Sequence, residues 1–263
     1  IAYAVVGLGA AAYSPAKYGI LTELLPASQL VKANGWIEGL TIGSIILGVL
    51  LGGQLVGRKL SAWLLSFDFP LLDTGVGTAA EAAIAALIAV YAIAAWFNLR
   101  IPHTGVEMRP LRGTPQSSVL GSALTLLPDF WACNARLWRD RLGQISLSTT
   151  TLFWGAGATL QFIVIKWAEH NLGMSLSQAS MLQGVVAIGV ATGSVLAARY
   201  ISLRKAVNVI PLGIAMGLGV TTMVGVTEAW IAMALMVLVG GLAGFFVVPM
   251  NALLQHRGHI LMG

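Results

Sequence analysis

The sequence reads WIAMALMVLVGGLAGFFVVPMNALL from Trp230 to Leu254, and none of these side chains is charged. A helix needs about 20 mostly apolar residues to cross the hydrocarbon core of a bilayer, which is about 30 Å thick. This stretch is long enough, and its glycines are spaced as in helices that pack closely in lipid. We therefore predict a membrane-spanning helix at Trp230–Leu254.

Comparable apolar stretches occur along the whole chain. Of its 263 residues 57% are hydrophobic and only 10% are charged, whereas soluble proteins carry about 25% charged residues. In a helix the backbone N–H and C=O groups hydrogen-bond to each other, and lipid offers them no other partner. We predict an all-α polytopic membrane protein whose spans are Ile1–Leu21, Trp36–Val56, Ala79–Phe97, Ile145–Trp167, Met181–Ala198, Val207–Thr227 and Trp230–Leu254.

The basic residues give these spans a direction. If the first helix ends in the cytoplasm, every Lys and Arg except Arg58, Lys59 and Lys166 lies on the cytoplasmic side, as the positive-inside rule requires. The longest connection, 98–144, is basic and contains prolines, and we predict that it links two helical halves, 1–97 and 145–263. Its second part, Ser118 to Leu142, fits either a helix on the inner membrane surface or a solvated basic loop.

A weak internal repeat supports two halves. Gly7-Leu8 aligns with Gly241-Leu242, and the same offset places Pro15 opposite Pro249 and Lys17 opposite Asn251. Chance identity between two glycine- and alanine-rich helices is the alternative. A true repeat would relate the two halves by an axis along the membrane normal.

Sequence signatures of enzymes are missing. The chain has neither a P-loop nor a G-x-S-x-G nucleophile motif. Its single cysteine, Cys133, excludes a disulfide framework. His256 and His259 lie three residues apart without a neighbouring carboxylate, so a metal site is not indicated. We predict a protein that is not an enzyme and that uses no cofactor and no metal.

Polar side chains within the spans are the candidates for a binding site, because lipid penalises them unless they face a cavity or a partner. Lys17, two residues after Pro15, could hold a phosphate or extend to the cytoplasmic interface. Glu38, near the start of an uncharged helix, could interact with the helix dipole, pair with Lys17 or Lys32, or bind a coupling cation.

Three further residues share this ambiguity. Gln161 lies in the middle of a span and Asn251 follows Pro249, so each amide needs a partner, either in a site or between helices. Trp154 either packs between helices or lines a cavity for an acyl chain. Glycine pairs four residues apart, such as Gly189 and Gly193, predict close helix contacts.

Several sequence blocks resemble the bacterial lysophospholipid transporter family of the major facilitator superfamily. The resemblance spans essentially the whole chain, which would correspond to helices 4 to 10 of a twelve-helix protein that is incomplete here at both ends. The blocks are Ala10-Ala11-Ala12-Tyr13-Ser14-Pro15-Ala16-Lys17-Tyr18-Gly19-Ile20-Leu21, Leu30-Val31-Lys32-Ala33-Asn34-Gly35, Leu152-Phe153-Trp154-Gly155-Ala156-Gly157, Gly244-Phe245-Phe246-Val247-Val248-Pro249 and Asn251-Ala252-Leu253-Leu254-Gln255.

The resemblance implies a secondary transporter of the bacterial inner membrane. It would flip lysophospholipids, chiefly lysophosphatidylethanolamine, to the cytoplasmic leaflet, where an acyltransferase with acyl-carrier-protein synthetase activity, separate or fused, would re-acylate them. It also assigns Lys17 to the headgroup site. Gln161 departs from the family, which has a basic residue there. The alternatives are a major facilitator exporter of drugs or small amphiphiles and a membrane module of a fused acyltransferase.

Overall fold

The computed structural model describes residues 2–56, 78–102, 105 and 126–262, and within these ranges it contains helices and no strands. The all-α fold predicted from the sequence is therefore confirmed. The α-helices are α1 (Ala2–Leu24), α2 (Leu30–Val56), α3 (Ala79–Asn98), α4 (Leu126–Arg139), α5 (Arg141–Asn171), α6 (Leu176–Tyr200), α7 (Ile210–Thr222) and α8 (Ala229–Met262). Short 3₁₀ segments occupy Ala27–Gln29, Leu203–Val209 and Met223–Gly225.

Local sequence signals fix where several helices begin. The hydroxyl of Thr78 accepts a hydrogen bond from the backbone N–H of Glu81, whose carboxylate accepts one in return from the backbone N–H of Thr78. Ser175 and Gln178 form the same reciprocal cap at the start of α6. Such caps satisfy N–H groups that have no partner inside the helix.

The predicted spans coincide with helices. Ile1–Leu21 matches α1 from residue 2 onward, Trp36–Val56 lies within α2, and Ile145–Trp167 lies within α5. Four helical stretches in the described part of the chain are long and apolar enough to cross a membrane: Ala80–Asn98, Met181–Tyr200, Leu203–Gly225 and Ala229–Met262. They correspond to the other four predicted spans.

The described residues belong to two compact units, 1–42 with 106–263, and 43–105. In the first unit, α8 forms the centre and packs against α5, α6 and α7. Its buried residues include Met236, Val248 and Met250. In the second unit, α3 exposes an apolar surface, and the guanidinium of Arg100 lies 4.2 Å from the ring centre of Trp96.

Glycines bring α6 and α8 into backbone contact. A Cβ atom at Gly193 would overlap the carbonyl oxygen of Gly241, and one at Gly244 would overlap that of Val190. Cβ atoms at Gly189 and Gly240 would meet carbonyl oxygens of the facing helix in the same way. The close helix contact predicted from the glycine spacing is confirmed for these residues.

Helix α4 occupies part of the linker. It begins at Leu126, and residues 118–125 of the predicted surface helix lie outside the described residues. Leu127, Phe130 and Trp131 are exposed on it, while its last turn carries Arg136 and Arg139. This segment is therefore helical and amphipathic. That it lies on the membrane surface, and that 98–144 separates two halves, stay predictions.

Candidate functional site

Three polar residues of α2 lie on one face of the helix. Asn34, Glu38 and Thr41 are separated by four and three residues, the spacing that places side chains above one another. Asn34 is fully buried and Glu38 is 3% exposed. Each of the three side chains meets a polar group of α1 or α8, so this face of α2 organises the candidate site.

Glu38 accepts hydrogen bonds from two neutral donors. The hydroxyl of Tyr18 lies 2.8 Å from its Oε1, and Nδ2 of Asn251 lies 3.4 Å from the same atom. The expectation that Glu38 pairs with Lys17 or Lys32 is therefore wrong for this structure. The tyrosine and the amide both donate to Oε1 of this carboxylate, and Lys17 has another partner.

Lys17 points toward α2. Its Nζ donates a hydrogen bond to Oγ1 of Thr41 at 3.0 Å and lies 5.3 Å from the ring centre of Tyr18. Lys17 is half-buried, and its ammonium is held between α1 and α2 by this hydrogen bond. Thr41 and Glu38 are three residues apart on α2, which corresponds to an axial rise of about 4.5 Å. A cationic and an anionic group therefore occupy adjoining turns.

A second set of contacts joins α2 to α6 and α8. The amides of Asn34 and Gln255 bond reciprocally, at 2.9 Å and 2.8 Å. Gly35 packs against α6 so closely that a Cβ there would overlap the Cβ of Ala198 and lie 2.9 Å from the carbonyl oxygen of Ser194. We call these contacts, together with Glu38–Asn251, the seam. The seam joins segments assigned by sequence to different halves.

Gln161 and Trp154 occupy another position. Both lie on α5 and are exposed, Trp154 by 52%. Trp154 packs edge-on against Phe153, and the backbone oxygen of Gln161 accepts a hydrogen bond from Gln183 at 3.0 Å. Among the described residues, neither side chain hydrogen-bonds to the Lys17–Glu38 cluster. The structure thus brings together Lys17, Glu38 and Asn251, but not these two.

The sequence analysis missed four participants: Tyr18, Asn34, Thr41 and Gln255. Tyr18 and Thr41 are ordinary residues in a membrane helix when considered singly. The signal that would have found two of them is the periodicity of Asn34, Glu38 and Thr41 in an otherwise apolar helix.

An ion pair stands at the beginning of α5. Arg257 Nε donates to Oδ2 of Asp140 at 2.9 Å, and Nη2 donates to Oδ1 of the same carboxylate. Asp140 also caps α5 by accepting a hydrogen bond from the N–H of Gly143 at 2.7 Å. The bonds from Arg257, followed by that from Gly143, hold the pKa of Asp140 below its ordinary value. One carboxylate thus caps α5 and ties it to α8.

Substitutions separate the two roles of Asp140. Asparagine remains a good helix cap but lacks the charge, whereas alanine removes both functions. We expect the melting temperature of the detergent-solubilised protein to fall in the order wild type, Asp140→Asn, Asp140→Ala.

A group with a depressed pKa stabilises the fold above its unfolded pKa, about 3.9, and loses that effect as the pH falls through the folded pKa. The difference between wild type and Asp140→Asn should therefore be equal at pH 7 and pH 5. Equal melting temperatures for all three proteins would contradict both roles.

Apolar helices around a buried row of paired polar side chains are typical of polytopic membrane transport proteins, which keep ionisable groups inside the bundle. The chain belongs to the Major Facilitator Superfamily, because the model of that family matches residues 1–259. This finding confirms the family-level resemblance noted in the sequence.

The chain is also similar to curated relatives named "Lysophospholipid transporter LplT". The relatives from Yersinia pestis (strain Pestoides F) and Yersinia pseudotuberculosis serotype O:3 (strain YPIII) are each 39% identical over 264 aligned positions. The alignment covers 100% of this chain and 58% of each relative. The chain therefore spans less than two thirds of these proteins. No solved structure matches it.

Proposed function

We propose that the protein containing this chain is a secondary transporter that flips lysophospholipids from the outer to the cytoplasmic leaflet of the bacterial inner membrane. The name of the relatives that are 39% identical supports this proposal. The observation that carries it is that Lys17 of α1 contacts Thr41, about one turn of α2 away from the buried carboxylate of Glu38. Lysophosphatidylethanolamine also carries one cation and one anion close together, in its ammonium and phosphate groups.

Each charged side chain has a neutral partner that a headgroup can replace. The ammonium of Lys17 would exchange Thr41 for the lipid phosphate, which forms stronger, charge-assisted hydrogen bonds. The carboxylate of Glu38 would exchange the hydroxyl of Tyr18 for the lipid ammonium. Asn251, at 3.4 Å from Glu38, would orient that carboxylate. The site recognises the zwitterion through both charges.

We extend the proposed substrate site to Trp154 and Gln161 of α5, which lie apart from the polar cluster. Trp154 and Gln161 are seven residues apart, which places them on one face of α5, and both side chains are exposed in the described structure. An aromatic ring and an amide on one exposed face suit an acyl chain and the glycerol that carries it. We therefore assign Trp154 to the chain and Gln161 to the glycerol region of the substrate.

The seam suggests how transport would proceed. With 1–97 and 145–263 as halves that rock against each other, the polar contacts of α2 with α6 and α8 close the pathway at one end. By the positive-inside rule we expect the start of α2 and the end of α6 at the cytoplasmic side, so opening toward the cytoplasm would require the seam to separate. A cytoplasmic acyltransferase, separate or fused, would then re-acylate the lipid.

Replacement of Lys17 tests the proposed function. In spheroplasts that express the whole protein, lack their own transporter and retain the acyltransferase, wild type should convert labelled lysophosphatidylethanolamine to phosphatidylethanolamine. Lys17→Ala should reduce uptake by about tenfold or more, because a hydrogen bond to a charged group contributes about 1.5–3 kcal/mol. Lys166→Ala is the matched control, since its ammonium is exposed and pairs with Glu169.

The outcomes distinguish the function from the site. Uptake by wild type and by Lys17→Ala at equal rates would remove Lys17 from the site. Absence of uptake by well-expressed wild type would overturn lysophospholipid transport itself. In that case, efflux of cationic amphiphiles would indicate an exporter, whereas re-acylation that depends on the protein without lipid movement would indicate an acyltransferase module.

A further inference from the structure

A groove with a volume of about 360 Å³ lies between the first turns of α2 and the last turns of α6. Gly35 and Ala198 form its floor, where the two helices touch. Its walls carry cationic, aromatic and aliphatic side chains: Lys32, Trp36, Val195 and Arg199. None of the residues that line the groove belongs to the cluster of Lys17, Tyr18, Glu38, Thr41 and Asn251.

Among the described residues, the two cations of this groove have no acidic partner. Lys32 and Arg199 are both exposed, and within residues 2–56, 78–102 and 126–262 no carboxylate forms an ion pair with either. The guanidinium of Arg199 lies 5.7 Å from the ring centre of Tyr200, a weak aromatic contact that leaves its N–H groups available. The groove therefore offers positive charge to an external anion.

The polarity of the groove changes with depth. Lys32 is in the first turn of α2 and Arg199 is in the last turn of α6, so both lie at the cytoplasmic end by the positive-inside rule. Trp36 and Val195 are each four residues further toward the membrane centre, and they are 57% and 48% exposed. Two cations near the cytoplasmic membrane surface, followed by apolar side chains closer to the membrane centre, match the order of headgroup and acyl chain in a phospholipid of the inner leaflet.

We propose that this groove binds the phosphate-containing headgroup of an anionic membrane phospholipid. Lys32 and Arg199 bind the phosphate, as basic pockets between membrane helices do. Trp36 packs against the glycerol region, which suits an aromatic ring at the interface. The first part of the acyl chain lies along Val195.

The position of the groove gives the lipid a second effect. Lys32 belongs to α2 and Arg199 to α6, which are the two sides of the seam. A ligand shifts a conformational equilibrium by the difference in its affinity for the two states. A lipid that contacts both cations binds better while the seam is closed, so anionic lipid stabilises this state. This regulation is separate from recognition of the transported lipid.

The test measures the melting temperature of the purified whole protein while phosphatidylglycerol is added to neutral detergent micelles. Wild type should show a saturable increase that phosphatidylcholine does not reproduce. In the double variant Lys32→Gln/Arg199→Gln, the phosphatidylglycerol concentration for half the effect should rise about tenfold or more, since both surface cations are lost. The control variant Arg204→Gln/Lys205→Gln, with the same charge change in the exposed segment after α6, should behave like wild type.

Other results would overturn the proposal in defined ways. An equal response of the two double variants would assign the effect to general positive charge at the cytoplasmic side. An equal response of wild type to phosphatidylcholine would remove the charge requirement, and an equal response to inorganic phosphate would identify a free anion as the ligand. If the double variant is not monodisperse, the single variant Lys32→Gln provides the same comparison with Lys205→Gln.

Discussion

Gly193→Leu should abolish the recovery of monodisperse, folded protein. A Cβ atom at position 193 already overlaps the carbonyl oxygen of Gly241, and leucine adds three more carbon atoms. The obstacle is backbone of α8, which cannot rotate away as a side chain can. Overpacking of an ordinary core costs about 1–3 kcal/mol, and here α6 and α8 must separate.

Separation of these helices removes more than one contact. Gly189, Gly240 and Gly244 depend on the same close crossing, and α8 contains more buried residues than any other described helix. Proteins are stable by only about 5–15 kcal/mol. Size-exclusion chromatography of detergent-solubilised protein should therefore show aggregate or no protein at the monodisperse position.

Gly184→Leu is the control on the same helix. In the described structure a Cβ at Gly184 meets no atom within 4 Å, and leucine favours a helix over glycine by about 0.8 kcal/mol. This variant should retain the elution profile and melting temperature of wild type, or slightly exceed the latter. A well-folded Gly193→Leu protein would show that α6 and α8 do not cross at these glycines.

The comparison of these glycines shows what sequence predicts in a membrane protein. Long apolar runs identify the helices, because lipid allows few alternatives to a hydrogen-bonded helix. Glycine spacing predicts close contact but not the partner. Gly213 and Gly217 have the same spacing, yet a Cβ at Gly213 would lie 3.3 Å from Phe246, while one at Gly217 would meet nothing within 4 Å. Which glycine pairs form a close helix contact depends on how the helices cross.

The candidate site illustrates the same limit. Lys17, Glu38 and Asn251 are identifiable because polar side chains are rare in the spans. The partner of Glu38 is not identifiable from the sequence, because Tyr18 is next to Lys17 in the chain and it is Tyr18 that donates to Glu38. One residue of rotation on α1, about 100°, decides whether the lysine or the tyrosine faces the carboxylate.

Glu38→Gln should impair transport of zwitterionic lysolipid without affecting the fold. The Oε1 of glutamine can accept the same hydrogen bonds from Tyr18 and Asn251. The variant therefore keeps the seam contact and loses only the charge. Glu38→Leu should instead destabilise the fold. It leaves the amide of Asn251 and the hydroxyl of Tyr18 without an acceptor, which costs about 1–3 kcal/mol for each group.

The expected loss depends on the headgroup. If Glu38 binds the ammonium of lysophosphatidylethanolamine, Glu38→Gln should lower its uptake by about tenfold or more, the effect of one hydrogen bond to a charged group. Lysophosphatidylglycerol has a phosphate but no ammonium, so its uptake should stay within about twofold. Glu169→Gln, at an exposed surface pair, should leave both rates unchanged.

Two lipids in one assay separate recognition from movement of the helices. A selective loss for the zwitterionic lipid assigns the charge of Glu38 to the headgroup, whereas an equal loss for both contradicts ammonium binding. The second result would indicate that the charge acts in the proposed opening of the seam, which would separate Asn251 from Glu38 whichever lipid is carried. Lys17→Ala provides the internal reference, since both lipids have the phosphate that Lys17 is proposed to bind and both rates should fall together.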